Sequence, residues 1–484
     1  MDLVTKGLQP AGPLKFFEEL SAIPRGSGNE KQAADYIENF GKQLGLETYR
    51  DEKHNVIIKK PATAGYENAD PVMLQGHSDM VCEKNGNTVH DFEKDPIKLV
   101  LSEDKKVLRA DGTTLGADNG TAVAIMMDIL QRDDLQHPAL ECVFTSMEEI
   151  GLFGAMALDY RQLSATRMIN MDCGPEDTVL VSSAGAKQTL YTRQVSFEAA
   201  SGDAISFKVR GLQGGHSGGC IHMERANSIK LLGRGLGAVL EQMPVQLSFV
   251  DGGLKANAIP REAEAVFCVP AGMGQKAAEI LAAELVAVKR QFAKADPGAN
   301  FEARPVSLPA QVMTEADSNA LVWLLCGLRN GVYTYSLDIA GLVLCSGNTG
   351  VLKQNGNEVS VEMCLRSADP DALDALVREL SGVVKLSGFD TDFTADFPAW
   401  DLVSESPLRD ATCELYKECY GKDMKVEAVH GGLECGVIYR NMPGIDIVAL
   451  GCDADGAHTP EECLYLESFD RFYGFVCKLL AKLS

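Results

Sequence analysis

At 484 residues, with 45% hydrophobic and 23% charged side chains, the chain exceeds one average domain and has an ordinary folded composition, so two or three domains are expected and extensive disorder is not. Lys and Arg number 45 against 68 Asp and Glu, a formal net charge of −23. Such a field repels phosphate backbones and anionic membranes and favours cation capture, so neither nucleic-acid nor membrane partners are expected.

The opening residues, Met1-Asp2-Leu3-Val4-Thr5-Lys6, lack a basic segment followed by an apolar one. The longest apolar stretches, such as residues 321–326, are too short to span a bilayer. A cytoplasmic protein is expected. Fourteen cysteines over this length fall below the density of a disulfide scaffold, and no Cys-x-x-Cys pair occurs. Most read as reduced packing residues, Cys82 and Cys173 included.

In chain order, Ser27-Gly28-Asn29-Glu30 has capping-box spacing, with Ala33, Ile37, Phe40 and Leu44 following on one helical face. Strand-like runs at 55–58 and 72–75 precede a helix-like 121–131, and apolar runs return at 140–145 and 167–171. This alternation predicts an α/β layer with a central sheet. After about residue 184 the texture becomes richer in strands, at 204–212 and 263–269 around a helical 226–240. A second set has helices at 318–329 and 370–386 with strands at 342–346 and 358–366, which predicts two similar units in tandem. Near Phe397-Pro398-Ala399-Trp400 the first pattern resumes, and an apolar run at 445–450 ends shortly before His458. The chain therefore leaves its first domain and returns to it.

Chemistry concentrates just beyond the hydrophobic runs of that first domain. His77-Ser78-Asp79 ends one run, Glu148-Glu149 follows a second, Asp172 a third, and Asp118 precedes a helix. Either His-x-Asp or Glu-Glu alone is ordinary surface polarity. Together with His458 they offer imidazole and carboxylate ligands for two divalent ions about 3.5–4 Å apart, and one carboxylate beyond those needed as ligands to take a proton from water. Strand ends are where open α/β sheets place ligands.

The strings Gly76-His77-Ser78-Asp79-Met80-Val81-Cys82-Glu83-Lys84, Leu115-Gly116-Ala117-Asp118-Asn119-Gly120, Met147-Glu148-Glu149-Ile150-Gly151, Asn170-Met171-Asp172-Cys173-Gly174 and Gly214-Gly215-His216-Ser217-Gly218 resemble those of the aminoacylhistidine dipeptidases, also called Xaa-His dipeptidases or peptidase D. These are carnosine-cleaving members of the aminoacylase-like zinc peptidases. The resemblance runs over essentially the whole chain, while its His-x-Asp and Glu-Glu core is shared with tripeptidases and deacylases. It implies His77, Asp118 and Asp172 on one ion and Asp118, Glu149 and His458 on the other, with Asp118 bridging. Asp79 would orient His77, Glu148 would be the general base, and the peptide bond after Asp118 would be cis. His216 would reach the scissile carbonyl, and Asn257, Arg366 and Gly432 would hold the substrate's carboxylate end. A guanidinium is apt there, since it grips a carboxylate bidentately. The ions implied are zinc first, with manganese or cobalt as alternatives.

The expected fold is α/β: a zinc-peptidase catalytic domain with a mixed central sheet flanked by helices, formed by 1–183 and 399–484, and an inserted α+β lid of two similar units at 184–398. The expected activity is hydrolysis of unblocked dipeptides, preferentially Xaa-His including β-alanyl-histidine. A tripeptidase or an N-acyl amino acid deacylase stays open on the same scaffold. The reading from another class is a catalytically silent binding protein, against which the intact ligand set argues. A homodimer with sites complete in each chain is expected. His54, His90, His137 and His222 read as structural or exposed, and His430 as a wall of the candidate site.

Overall fold

The structure is a computed structural model that describes residues 3–337, 339 and 341–483. The chain divides into two units, Met1–Ser182 with Leu402–Ala428 and Leu433–Ser484, and Ser183–Asp401 with Val429–Gly432. This division parts from the expected one at residues 183, 399–401 and 429–432, which group with the second unit. Backbone pairing is the reason: Ser183 bridges to Trp400, and Ala184 N donates to Val429 O at 3.0 Å.

The first unit is built on an eight-stranded sheet in the order Glu47–Arg50, Val56–Lys60, Leu140–Thr145, Val72–His77, Arg167–Asn170, Asp446–Ala449, Thr178–Ser183, Lys425–Val429. From Leu140–Thr145 to Asp446–Ala449 the neighbours are parallel. Val72–His77 and Leu140–Thr145 are buried at every position, which is why they read as continuous apolar runs rather than alternating ones. Helices Ala11–Ser21, Lys31–Gln43, Ala117–Gln131, Pro407–Tyr420 and Leu466–Lys482 supply the rest of this core. Leu466, Phe469, Phe472, Tyr473, Val476 and Leu480 recur at helical spacing on the last of these and are all buried.

The second unit carries a nine-stranded sheet, eight of whose strands repeat one pattern, strand–helix–strand–strand–helix–strand, while the ninth, Gly331–Tyr335, pairs with Val343–Asn355. One half is Asp203–Arg210, Ser228–Leu240, Gln246–Gly252, Ala263–Val269, Gly274–Gln291 and Asn300–Pro305. The other is Gly185–Gln194, Glu315–Gly327, Val343–Asn355, Glu358–Ser367, Pro370–Leu386 and Asp390–Phe397. Each half orders its strands fourth, first, third, second, the ferredoxin-like arrangement, and the two second strands pair antiparallel where Gly252 meets Leu352. The doubling expected from the sequence is therefore present, but not in tandem. Strand Gly185–Gln194 belongs to the later half and precedes the whole of the earlier one, so one half is nested within the other.

One local expectation fails. Ser27 does not cap helix Lys31–Gln43; its hydroxyl donates to Asp79 Oδ2 at 2.7 Å, while Glu30 Oε1 accepts from Gly28 N at 2.8 Å and Met147 N at 3.1 Å. Both side chains are drawn to the strand ends instead. Ala33 and Ile37 are buried as their spacing predicts, whereas Leu44 lies past the last turn and is 39% exposed. No described helix is long and apolar enough to cross a membrane.

Gly76 sets how closely helix Ala117–Gln131 approaches the strand that ends in His77. A Cβ at Gly76 would lie 2.3 Å from Asn119 Oδ1 and 2.5 Å from Ala122 Cβ. Overpacking of this kind destabilises by about 1–3 kcal/mol. Gly76→Ala is expected to lower the urea-unfolding midpoint accordingly, and an unchanged midpoint would contradict the packing described.

Candidate metal centre

The parallel register places His77 beside Thr145 and Gln75 beside Asn170, so the residues that follow these strands leave the sheet along one edge. His77, Asp79, Glu148, Glu149 and Asp172 arise there. Asp118 comes from the turn that opens helix Ala117–Gln131, where Gly116 has φ +73° and the Asp118–Asn119 peptide is cis, as the resemblance implies. Asn119 pins that turn to two strands: its Oδ1 accepts from His77 N at 3.2 Å and its Nδ2 donates to Met171 O at 2.8 Å. His458 sits in the hairpin between Ala454–Asp455 and Cys463–Tyr465, at φ 65° in the left-handed region.

The side chains converge closely. His77 Nε2 lies 3.0 Å from Asp118 Oδ1 and 3.6 Å from Asp172 Oδ1, and its Nδ1 lies 3.3 Å from Asp79 Oδ1. On the other side of Asp118, His458 Nε2 is 3.2 Å from its Oδ2 and 3.0 Å from Glu149 Oε2. Thus one carboxylate faces both imidazoles. Asp79 is held by three donors, Ser27 Oγ, Glu148 N at 3.1 Å and Glu149 N at 3.3 Å, which joins the His77 strand to the glutamate loop.

Negative charge is in excess, and burial makes that matter. Burial and the neighbouring Asp118 and Glu149 push Asp172 up to about 7 against the pull of His77. Burial likewise raises Glu148 well above the carboxylate range, with Asp172, Glu434 and Glu149 adding to the effect while His77 opposes it. Asp118 goes the other way: despite burial, His458 and His77 hold it far down. His77 is raised well above an ordinary imidazole because Asp172, Asp118 and Asp79 outweigh its burial, and hydrogen bonds to Asp118 and Glu149 push His458 up to about 10.

These donors fit two divalent cations. Among the described residues, three groups have their ligand atoms within 4.8 Å of one another: His77 with Asp118 and Asp172, Asp118 with Glu149 and His458, and His77 with Glu148 and Glu149. Imidazole and carboxylate donors are the set that suits zinc, and Glu149 Oε1 is buried with no protein partner. Glu148 also lies within reach of His77, so proximity by itself does not divide the two glutamates between ligand and base.

Three residues that the sequence did not single out hold this arrangement. The buried carboxylate of Glu462 accepts from the backbone of Leu115 at 2.7 Å, Gly116 at 2.9 Å, Ala117 at 2.8 Å and Asp118 at 3.2 Å, tying the His458 hairpin to the Asp118 turn. Buried Arg25 donates to Ser78 O at 3.1 Å, Asp79 O at 3.0 Å and Gly116 O at 2.6 Å. Glu434 lies beneath the same strand ends. In sequence these are unremarkable charged residues; only the rarity of buried charge marks them, and burial is not legible there.

His216, Asn257, Arg366 and Gly432 belong to the second unit. Within it, His216 Nδ1 accepts from Gly219 N at 3.1 Å and Gly218 N at 3.3 Å, which leaves Nε2 as the donor of the neutral ring. That Nε2 lies 3.4 Å from Arg366 Nη2, and Arg366 Nε lies 3.4 Å from Ser217 Oγ. Two donors set against each other suit an anion placed before both. Asn257 meets this group through its backbone, its carbonyl accepting from Ser217 N at 2.9 Å, and no atom within 4 Å would meet a Cβ at Gly432. His430 pairs with Ser346 Oγ at 2.7 Å, and burial followed by the charge of Arg366 pushes it down to about 3, which makes it a neutral internal partner. All fourteen cysteines are free thiols.

The sequence profile of peptidase family M20/M25/M40 matches residues 73–482. The chain is 34% identical over 478 residues to the cytosol non-specific dipeptidase of Escherichia coli (strain K12), covering 98% of each sequence. Among solved structures it resembles the aminoacylhistidine dipeptidase of Vibrio alginolyticus at 32% identity, with 98% of this chain and 97% of that one covered and a TM-score of 0.88. A tripeptidase of Staphylococcus aureus subsp. aureus Mu50, at 17% identity, coverage of 98% and 99%, and a TM-score of 0.56, shares the fold alone.

Hydrogen bonds to Asp118 and Glu149 push His458 up to about 10, which keeps it protonated at pH 7.5 without metal, and ligation needs neutral imidazole, so metal uptake should expel protons. Calorimetric titration of zinc into metal-stripped protein, in buffers of different ionisation enthalpy, is expected to report net release of at least about one proton per chain. Uptake of zinc with no release would contradict the placement of this imidazole.

Proposed function

The chain belongs to peptidase family M20/M25/M40, and on that footing we propose that this dinuclear-metal dipeptidase hydrolyses unblocked dipeptides, preferentially those with histidine second, β-alanyl-histidine among them. The observation that carries the chemistry is Asp118, whose two oxygens face different imidazoles and so offer one bridging ligand. The substrate preference leans on the likeness to the aminoacylhistidine dipeptidase of Vibrio alginolyticus. The name of the Escherichia coli relative favours a second reading, a dipeptidase of broad specificity, and also supports a cytoplasmic place of action.

In this reading His77, Asp118 and Asp172 hold one ion and Asp118, Glu149 and His458 the other, with zinc as the metal and manganese or cobalt as alternatives. When bound, the two ions supply Lewis-acid polarisation of the scissile carbonyl and a nucleophilic water at neutral pH. Glu148, buried among the ligands and left without a ligand's role, accepts the proton of that water and delivers it to the leaving nitrogen. Asp79 fixes the tautomer and direction of His77. His216 donates through Nε2 to the oxyanion, and Arg366, Asn257 and Gly432 receive the free carboxylate, which selects short substrates with an open C-terminus.

A hydrolysis panel of Xaa-His dipeptides, other dipeptides, tripeptides and N-acyl amino acids, run with zinc or manganese, tests the proposal. Xaa-His dipeptides should lead; equal rates across dipeptides would favour the broad reading. A lead for tripeptides or acylated amino acids would overturn the dipeptide assignment, and no turnover at all would favour a silent binding protein.

Removing the base should separate catalysis from metal binding. Glu148→Ala is expected to keep its full metal content, read by elemental analysis, while kcat falls by about 10²–10⁴. Near-normal turnover in fully loaded protein would make the assignment wrong.

A further inference from the structure

A carboxyl group that the reaction does not use lies directly beneath the ligands. Glu434 opens helix Glu434–Asn441 and is completely buried, at 0% exposure. Its Oε2 accepts from Gln75 Nε2 at 2.6 Å and from Thr145 Oγ1 at 2.7 Å. Gln75 Oε1 in turn accepts from Asn170 Nδ2 at 2.6 Å, and Asn170 Oδ1 accepts from Asp172 N at 3.1 Å.

This chain of bonds visits three adjacent parallel strands within two residues of their ends. Gln75 precedes His77 by two positions on one strand, Thr145 leads into Glu148 and Glu149 from the second, and Asn170 precedes Asp172 by two on the third. The ladder to Leu140–Thr145 ends with His77 beside Thr145 and the ladder to Arg167–Asn170 ends two residues earlier with Gln75 beside Asn170, each followed by one further backbone bond, Ser78 N to Thr145 O and Met171 N to Gln75 O, and past these the chains enter the loops that carry the candidate ligands. A buried polar network stiffens a site only when its members are paired, and an amide or hydroxyl left without an acceptor there is costly. Glu434 is the acceptor on which the network ends.

We propose that Glu434 is a positioning residue, a buried acceptor that staples the three strand ends together and thereby sets the spacing of His77, Glu148, Glu149 and Asp172 for metal binding. Its other oxygen, Oε1, is buried and meets no hydrogen-bond partner among the described residues, so the network is held through Oε2 alone. Burial, with Asp172 and Asp79 nearby, pushes Glu434 up to about 7 against His77 and Thr145. The inference rests on the proposed reading of these residues as metal ligands.

The test is a titration of metal-stripped protein with cobalt, followed by visible absorption, with circular dichroism and thermal unfolding to establish folding. Wild-type protein should bind two cobalt ions. Glu434→Ala should fold yet lose about 10–100-fold in cobalt affinity with an altered spectrum, the range for losing a group that orients metal ligands. Glu434→Gln, whose amide oxygen can accept from both Gln75 and Thr145, should restore affinity and spectrum. If Glu434→Ala does not fold, Thr145→Val removes one donor at constant shape and should weaken cobalt in the same direction. Wild-type affinity and spectrum in a folded Glu434→Ala or Thr145→Val protein would overturn the proposal, as would Glu434→Gln as impaired as Glu434→Ala. Failure of the wild type itself to bind cobalt would instead strike the ligand reading, and this inference with it.

Discussion

Mutual repulsion of buried carboxylates is the constraint around which the first unit is organised. Asp79, Asp118, Glu148, Glu149 and Asp172 are gathered where burial penalises charge, with His77 and His458 among them and the guanidinium of Arg25 beside the Asp79 and Gly116 backbones. Such a cluster has two remedies, protonation and cation binding. The upward push on Glu148 and Asp172 is the first of these, and the spacing of the donors fits the second. Side chains that repel one another cannot place themselves, so the scaffold must. Four loops and turns of the unit contribute fixed hydrogen bonds: backbone N–H groups to Asp79, Asn119 between strand and turn, Glu462 under four successive amides, and Arg25 against three carbonyls.

The second unit solves a different problem. Its sheet grows by joining two ferredoxin-like halves through their second strands, so each half covers an edge that would otherwise be open to other chains. Arg366 and His216 come from different halves, on strand Glu358–Ser367 and on the short strand Gly215–His216, yet stand 3.4 Å apart.

Much of both units was readable in advance, for reasons that differ from place to place. The parallel strands are hydrophobic on both faces, so Val72–His77 and Leu140–Thr145 announce themselves as unbroken runs, and the chemistry at their ends follows from where parallel sheets put ligands. Strand Ala263–Val269 and helix Pro370–Leu386 are likewise set by local pattern, the second with Asp369 as its cap and Pro370 in its first turn. Ser27 and Glu30 misled because capping-box spacing records only what could be bonded locally. Asp79, distant in sequence, takes the Ser27 hydroxyl, and Glu30 shares its Oε1 between nearby Gly28 N and distant Met147 N. The nesting of the two halves was equally hidden, since strand Gly185–Gln194 carries no mark of the distant strands it pairs with.

What the sequence by itself determined is therefore the kind of chemistry: which imidazoles and carboxylates exist, that they sit beyond hydrophobic strands, and that they suit divalent cations. Only the tertiary structure decided which of them meet. The register of Val72–His77 against its neighbours, the Asn119 bridge and the Glu462 clasp bring Asp118 between two histidines from opposite ends of the chain. Arg25, Glu462 and Glu434 became visible only at that stage. A charged residue in a sequence looks solvated until the fold takes its water away, and what it then bonds to depends on groups hundreds of residues distant.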